Sequence, residues 1–326
     1  GSRRVPAYNP SAMAIYLDHA ATTPLRPEAL EAMLPYLTDR FGNPSSPHAF
    51  GRAARAALDE ARERMAARLN AEPRELVFTS GGTEANNLAL KGAAWAGKAR
   101  GNQIVTSAVE HHSVGHTLAY LEKFGFEIVT LGVDRYGRVD PEELEARLEE
   151  RTILVSIMLA NNEVGTIEPI AEIARRVHAR RGVLLHVDAV AAAPHLPIDV
   201  RALDVDLLTL SAHKFEGPKG AGVCFVRRGV HILAQQQGGT QERYRRAGTE
   251  DVAAIVGMAT AYELACAERD AVTARLRQAG ARLARALAAE PGIERTGHPT
   301  ERLAGLVSVV IPGVDGAELV VALDLG

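Results

Sequence analysis

Cysteine is scarce in this chain: only Cys224 and Cys266 occur in 326 residues. That excludes a disulfide framework and fits a reducing cytoplasm. Cys224 lies in the strand-like Gly222-Val-Cys-Phe-Val226 and Cys266 on a helical run, where both read as small buried residues rather than nucleophiles. A surplus of one charge is also lacking. The formal net charge of -3 gives no electrostatic basis for nucleic acid or an anionic membrane as the main partner. No apolar run is long enough to span a bilayer, and no charged-then-apolar leader opens the chain. Metal-ligand spacing is missing: His111 and His112 are adjacent rather than one helical turn apart, so one helix face cannot aim both at one ion. Internal repeats and low-complexity linkers are absent. Gly1-Ser2 reads as the scar of a cleaved expression tag, so residues 1–14 are set aside as a leader.

What is present is an ordinary soluble composition, 47% hydrophobic and 24% charged, in a chain long enough for one large α/β domain and a smaller one. Short apolar strands are expected at Leu76–Thr79, Gln103–Thr106, Glu127–Leu131, Ile153–Ile157, Leu184–Asp188, in the run before Ser211, and at Gly222–Val226. Helical stretches separate them: Arg55–Asn70, a helix opened by Thr83, Val114–Lys123, Pro141–Glu150 and Ala171–Arg180. Asp140 with Pro141 is a good cap and first turn. Such alternation implies a mainly parallel sheet covered by helices on both sides, with ligands beyond the carboxyl ends of the strands. Ser80, Glu110, Asn161, Asp188 and Lys214 all fall there. From Asp251 to Ala289 a long helical region is expected, interrupted at Gly280. Then follow the strand Leu306–Ile311, a turn at Pro312-Gly313 and a helix from Gly316 to Leu323, read as the beginning of a smaller α+β domain.

Two strand ends carry the most pointed chemistry. One delivers the carboxylate of Asp188, the other the amine of Lys214. A pyridoxal phosphate enzyme needs this pair: a lysine for the Schiff base and an acid that keeps the pyridine nitrogen protonated. A lysine after a strand is by itself usually a solvated loop residue. Ser80-Gly-Gly-Thr-Glu84 joins a strand to a helix and could admit a phosphate to free amides, or be a turn that needs glycine for geometry. Asn161-Asn-Glu-Val-Gly165 could bring a side-chain amide to a ring, or be a polar turn. Glu110-His-His112 could stack an imidazole on a flat cofactor, or serve as a cap.

The order of motifs Tyr16-Leu-Asp-His-Ala-Ala-Thr-Thr-Pro24, Phe41-Gly-Asn-Pro-Ser-Ser46, Thr79-Ser-Gly-Gly-Thr-Glu-Ala-Asn-Asn87, Glu110-His-His-Ser-Val114, Asn161-Asn-Glu-Val-Gly-Thr166, His186-Val-Asp188, Ser211-Ala-His-Lys214, Gly217-Pro-Lys-Gly220 and Arg246-Ala-Gly-Thr249 resembles class V, fold-type I pyridoxal phosphate enzymes. Within them it resembles the cysteine desulfurases of the NifS/IscS group. The resemblance covers the chain after its leader, ending less distinctively in Pro312 to Gly326.

The resemblance implies that Lys214 carries the cofactor and later shuttles the Cα proton. Asp188 pairs with the pyridinium, and His111 stacks on the ring and assists proton transfer. Gly82, Thr83, Ser211 and His213 hold the phosphate, and Asn162 sits near the ring hydroxyl and substrate carboxylate. Thr249 reaches the phosphate of the neighbouring subunit in a homodimer. The substrate would be L-cysteine, and the sulfur would pass through an enzyme persulfide to an acceptor such as an iron–sulfur scaffold protein. Residues 15–264 would form the large cofactor domain, whose first residues could pack on a small domain begun by 265–326. Other readings are another class V reaction (an aminotransferase or a selenocysteine lyase) and a non-catalytic dimeric scaffold of the same fold.

Two departures stand out. The family places a glutamine three residues after the aspartate as a donor to the ring oxygen, and here that position is Ala191. In the family a mobile loop with the nucleophilic cysteine, then a carboxylate-binding arginine, follow the stretch resembling Ala322–Gly326. The expectation is therefore a fragment of a longer polypeptide that lacks this loop and is inactive in persulfide formation.

Overall fold

The structure, a computed structural model, describes residues 15–325; the leader read at 1–14 and Gly326 lie outside them. The elements run α1 (Pro27–Leu37), α2 (Ala49–Leu69), β1 (Leu76–Thr79), α3 (Gly82–Gly97), β2 (Gln103–Ser107), α4 (His112–Glu122), β3 (Glu127–Leu131), α5 (Pro141–Arg147), β4 (Thr152–Ser156), α6 (Ile170–His178), β5 (Leu184–Asp188), β6 (Leu207–Ser211), β7 (Gly222–Val226), α7 (Val252–Ala288), β8 (Glu294–Arg295), β9 (Val309–Val310) and α8 (Gly316–Leu325).

Seven strands form one sheet in the order β1-β7-β6-β5-β4-β2-β3. Only β7 runs antiparallel to its neighbours; the other pairings are parallel. This is the mainly parallel, helix-covered sheet of fold-type I. Strand periodicity places the side chains on two cores. Leu76, Phe78, Leu208, Leu210, Val223 and Phe225 face the layer that contains α2, α6 and α7. Val77, Leu207, Cys224 and Val226 face α3 and α4. Both faces being covered, the strands read as near-continuous apolar runs. β1 and β2 are consecutive in the chain yet stand first and sixth in the sheet, so α3 crosses between them and packs along β4–β7. That crossing carries the amino end of α3 over the carboxyl ends of β5 and β6.

α2 starts at Ala49 rather than Arg55 and α5 stops at Arg147 rather than Glu150, and two expectations change more deeply. α7 does not break at Gly280 but runs unbroken for 37 residues. A glycine is needed there for a different reason: a Cβ at Gly280 would lie 3.0 Å from the Gly305 Cα, so the helix touches a second backbone. The strand expected over Leu306–Ile311 shrinks to Val309–Val310, paired only with Glu294–Arg295. Pro312 and Gly313 end it, and a two-stranded ribbon with one exposed partner has little to bury. α1, with Pro35 inside it, packs on α7 and has no counterpart among the expected elements. Among the described residues no helix is long and apolar enough to cross a membrane.

Candidate active site

Asp188 ends β5, and Lys214 closes the short 3-10 turn that follows β6. The two strands are parallel neighbours, with Asp188 opposite Thr209. The carboxylate is only 4% exposed. Its Oδ1 accepts from the Val190 N–H at 2.9 Å and its Oδ2 from Asn86 Nδ2 at 2.7 Å. Burial pushes the Asp188 pKa up, while these N–H donors and the charges of His111 and Lys214 pull it back. Burial lowers the Lys214 pKa, and Asp188 and Asp18 oppose that. Acid and amine thus share one electrostatic environment.

A strap from the amino end roofs this pair. Lys214 Nζ donates to the carbonyls of Ala20 and Ala21, the latter at 3.0 Å. Thr22 Oγ1 lies 3.1 Å from His213 Nδ1. Thr23 donates its hydroxyl to the His213 carbonyl at 2.8 Å and accepts from the Glu216 N–H at 2.8 Å. The loop after the lysine is equally constrained: Glu216 is left-handed with φ 61°, and a Cβ at Gly217 would come within 2.9 Å of the Ala212 carbonyl oxygen.

Beside them lies a cradle of small residues. Gly81 has φ 146°, and a Cβ at Gly82 would lie 2.9 Å from Val190 Cγ2 and 3.4 Å from Ser211 Cβ. A Cβ at Gly222, the first residue of β7, would strike the Gly81 backbone at 2.6 Å. Backbone, not side chain, therefore lines this corner, and the 16-residue α3 points its amino end there. Glu84 in its first turn accepts from the Ser80 N–H at 2.8 Å and from Arg246 Nε at 2.8 Å. That bond ties the 246–249 segment to the cradle. Thr83 and Thr249 are exposed, and Ser211 is buried.

His111 caps α4: its Nδ1 accepts from the Ser113 N–H at 3.1 Å and lies 2.7 Å from Ser113 Oγ. Glu110 bridges two strand ends, accepting from Ser107 Oγ at 2.7 Å and the Met158 N–H at 2.9 Å. Burial pushes its pKa up to about 8. Asn161 is occupied by backbone: its amide donates to the Val109 carbonyl in the loop after β2, and its Oδ1 accepts from the N–H groups of Glu163 and Val164 in its own loop. Asn162 is half-buried. Among the described residues no hydrogen bond ties Asn162 or Thr249 to the group around Asp188.

Tested against pyridoxal phosphate, the residues fit. The glycine corner has no room for a Cβ and offers helix amides to a phosphate. A buried carboxylate and a half-buried amine converge from adjacent strands, with an imidazole and a hydroxyl alongside.

The model of the class-V aminotransferase family matches residues 15–325. The chain belongs to that family. It is 49% identical over 95% of its length to the cysteine desulfurase IscS of Methanosarcina thermophila, spanning 77% of that protein. A solved NifS-like protein superposes with a TM-score of 0.92 at 38% identity, covering 96% of this chain and 86% of the other. A structure described as SspA in complex with cysteine superposes with a TM-score of 0.74 at 38% identity, covering 76% and 72%.

For this class-V member, the sequence offered no role for three features at the site: Asn86, Ser113 and the strap carbonyls of Ala20 and Ala21. Asn86 and Ser113 lie within quoted motifs, so their polarity at the start of buried helices was the available signal. Carbonyl groups leave none.

Proposed function

We propose that the chain is the catalytic body of a pyridoxal phosphate-dependent L-cysteine desulfurase. The observation that carries this reading is the convergence of Asp188 and Lys214 from adjacent parallel strands beneath one glycine corner, in a chain similar to IscS over 95% of its length. When bound, the cofactor supplies an electron sink for the pair left at the substrate Cα. Every other task falls to the protein. Asp188 holds the proton on the ring nitrogen, its ionised form supported by two N–H donors in a site that burial makes hostile to charge. Lys214 would hold the cofactor and move the proton of the substrate Cα; its lowered pKa suits an amine that must act as a base. His111 would lie against the ring, and Gly82, Thr83, Ser211 and His213 would hold the phosphate. Asn162 meets the substrate carboxylate.

Thr249, exposed and tethered through Arg246, would complete the phosphate site of a second copy, which makes the working unit a homodimer. The sulfur goes on to an acceptor protein such as an iron–sulfur scaffold. A cysteine thiolate must first take the sulfur, and neither cysteine of the 326 residues is suited. Cys224 is fully buried in β7, its thiol pushed up to about 12 by burial. Cys266 is half-buried within the 37-residue helix α7, a rigid element on which it cannot travel to a substrate beside Lys214. The 326-residue species is therefore expected to bind cofactor and cysteine and to exchange the Cα proton, without forming a persulfide.

The test is direct. Purified protein given the cofactor should gain a near-visible absorption band that borohydride removes, with the label on Lys214. L-cysteine in deuterated water should lose its Cα proton signal. Absence of the band at any cofactor concentration, or a label on another lysine, sinks the reading.

A further inference from the structure

The Asp188 carboxylate and the His111 ring are joined by a continuous chain of hydrogen bonds. Asn86, 1% exposed on α3, uses its one amide nitrogen twice: Nδ2 lies 2.7 Å from Asp188 Oδ2 and 2.8 Å from Ser113 Oγ. Ser113 Oγ lies in turn 2.7 Å from His111 Nδ1. The polarity of the chain is set from its two ends, the Asp188 carboxylate and the Ser113 backbone N–H. A carboxylate can only accept, so the NH2 of Asn86 must face Asp188; turning the amide over would set two acceptors against each other. Its second N–H then points at Ser113 Oγ, which must accept. The Ser113 backbone N–H also points at His111 Nδ1 at 3.1 Å, so that nitrogen is bare and receives the hydroxyl hydrogen as well. In the neutral ring the proton sits on Nε2. The arrangement has a visible cost, because Asn86 Oδ1 is left buried without a donor. An amide held with one end unsatisfied is being oriented by its other end.

We propose that Asn86 and Ser113 are positioning residues that transmit the charge of Asp188 to His111 as a hydrogen-bond polarity, reinforcing the Nδ1 acceptor role that the Ser113 backbone N–H also sets and so keeping the imidazole proton on Nε2. The bonds belong to this chain alone; their bearing on catalysis rests on the cofactor reading above. In that setting the residue at the ring nitrogen also determines which atom of the neighbouring imidazole can donate. The groups facing this chain are Lys214, which favours the Asp188 carboxylate, and Glu110, which opposes it.

The experiment reads ring nitrogens rather than turnover. Protein with 15N-labelled histidine rings is examined by NMR at neutral pH without added cofactor, and His111 is assigned among the 11 histidines by its loss in His111→Gln. The parent should show an unprotonated Nδ1 and a protonated Nε2. Asp188→Asn should shift the His111 Nδ1 resonance toward the protonated form, because an amide no longer dictates the orientation of Asn86. In a Ser113→Ala background that response should vanish, and Ser113→Thr should restore it. A response of equal size with and without the Ser113 hydroxyl would show through-space electrostatics and overturn the proposal, as would no response in the parent. Should Asp188→Asn fail to fold, Asn86→Ala replaces it in the same cycle with the same expected and overturning results. A protein that shows the response yet never binds the cofactor keeps the relay and removes the desulfurase reading.

Discussion

β5 and β6 carry ionisable groups at both ends, and the two ends treat charge in opposite ways. At the amino ends, His178 bridges Asp204 (2.9 Å) and Asp206 (3.0 Å), and Arg227 pairs with both acids, at 2.6 Å to Asp204 and 3.3 Å to Asp206. Asp206 also accepts from the Leu185 N–H at 2.9 Å. Burial acts to raise the Asp204 pKa, but His178 and Arg227 outweigh it and the net direction is down. At the carboxyl ends, Asp188 moves up and Lys214 down, each dominated by burial. One end satisfies its charges and staples the sheet. The other keeps a desolvated acid and amine apart, available to a third party. The same residue types on the same strands thus differ in whether their charges are already answered within the chain.

Substitutions at the two ends should separate these roles, the widest gap first. Lys214→Ala should abolish borohydride trapping and lower Cα-proton exchange by at least about a thousandfold, with a melting temperature near the parent's. Loss of stability comparable to the loss of activity would blur the contrast. Asp206→Asn should do the reverse: exchange is retained, while chemical denaturation shows a loss of about 1–3 kcal/mol for weakening charged hydrogen bonds to partners that are themselves part-exposed.

The pH response of the staple comes next. The Asp206 bond raises the His178 pKa above its ordinary 6.5, with Asp204 adding to it and burial opposing. Its contribution to stability is therefore full below about pH 6.5 and is lost as pH rises through the raised folded value. Denaturation midpoints of parent and His178→Gln should converge as pH climbs through that window; a constant difference would show that the imidazole acts without its charge. Smallest of all, Cys266→Ala should leave Cα-proton exchange within about twofold, as expected for a half-buried thiol bonded to Arg269 rather than to Asp188 or Lys214.

Much of the fold could be read from the chain because its strands are short apolar runs bounded by turn residues. Leu76–Thr79, Glu127–Leu131 and Gly222–Val226 stand where periodicity puts them. Where the reading failed, the deciding contact was remote. Gly280 looks like a helix breaker until Gly305 is seen against it, and Leu306–Ile311 looks like a full strand until its partner proves to be two exposed residues. At the site the same division holds. Asp188 and Lys214 announce themselves as polar groups at strand ends. Asn86 meets Asp188 across 102 positions, and Lys214 meets Ala20 across 194; no local pattern encodes such pairs. Asn161 is a converse case, a polar residue at a strand end whose side chain is engaged by backbone at Val109, Glu163 and Val164.

The bare Cα of Gly222 has a consequence beyond β7 itself. That strand brings no reactive group, yet its first residue rests directly on the turn expected to seat an anion. Like a shim under a machine part, the missing methyl sets the height of that seat. A single added carbon at Gly222 would displace the Gly81 turn without touching any residue that performs chemistry.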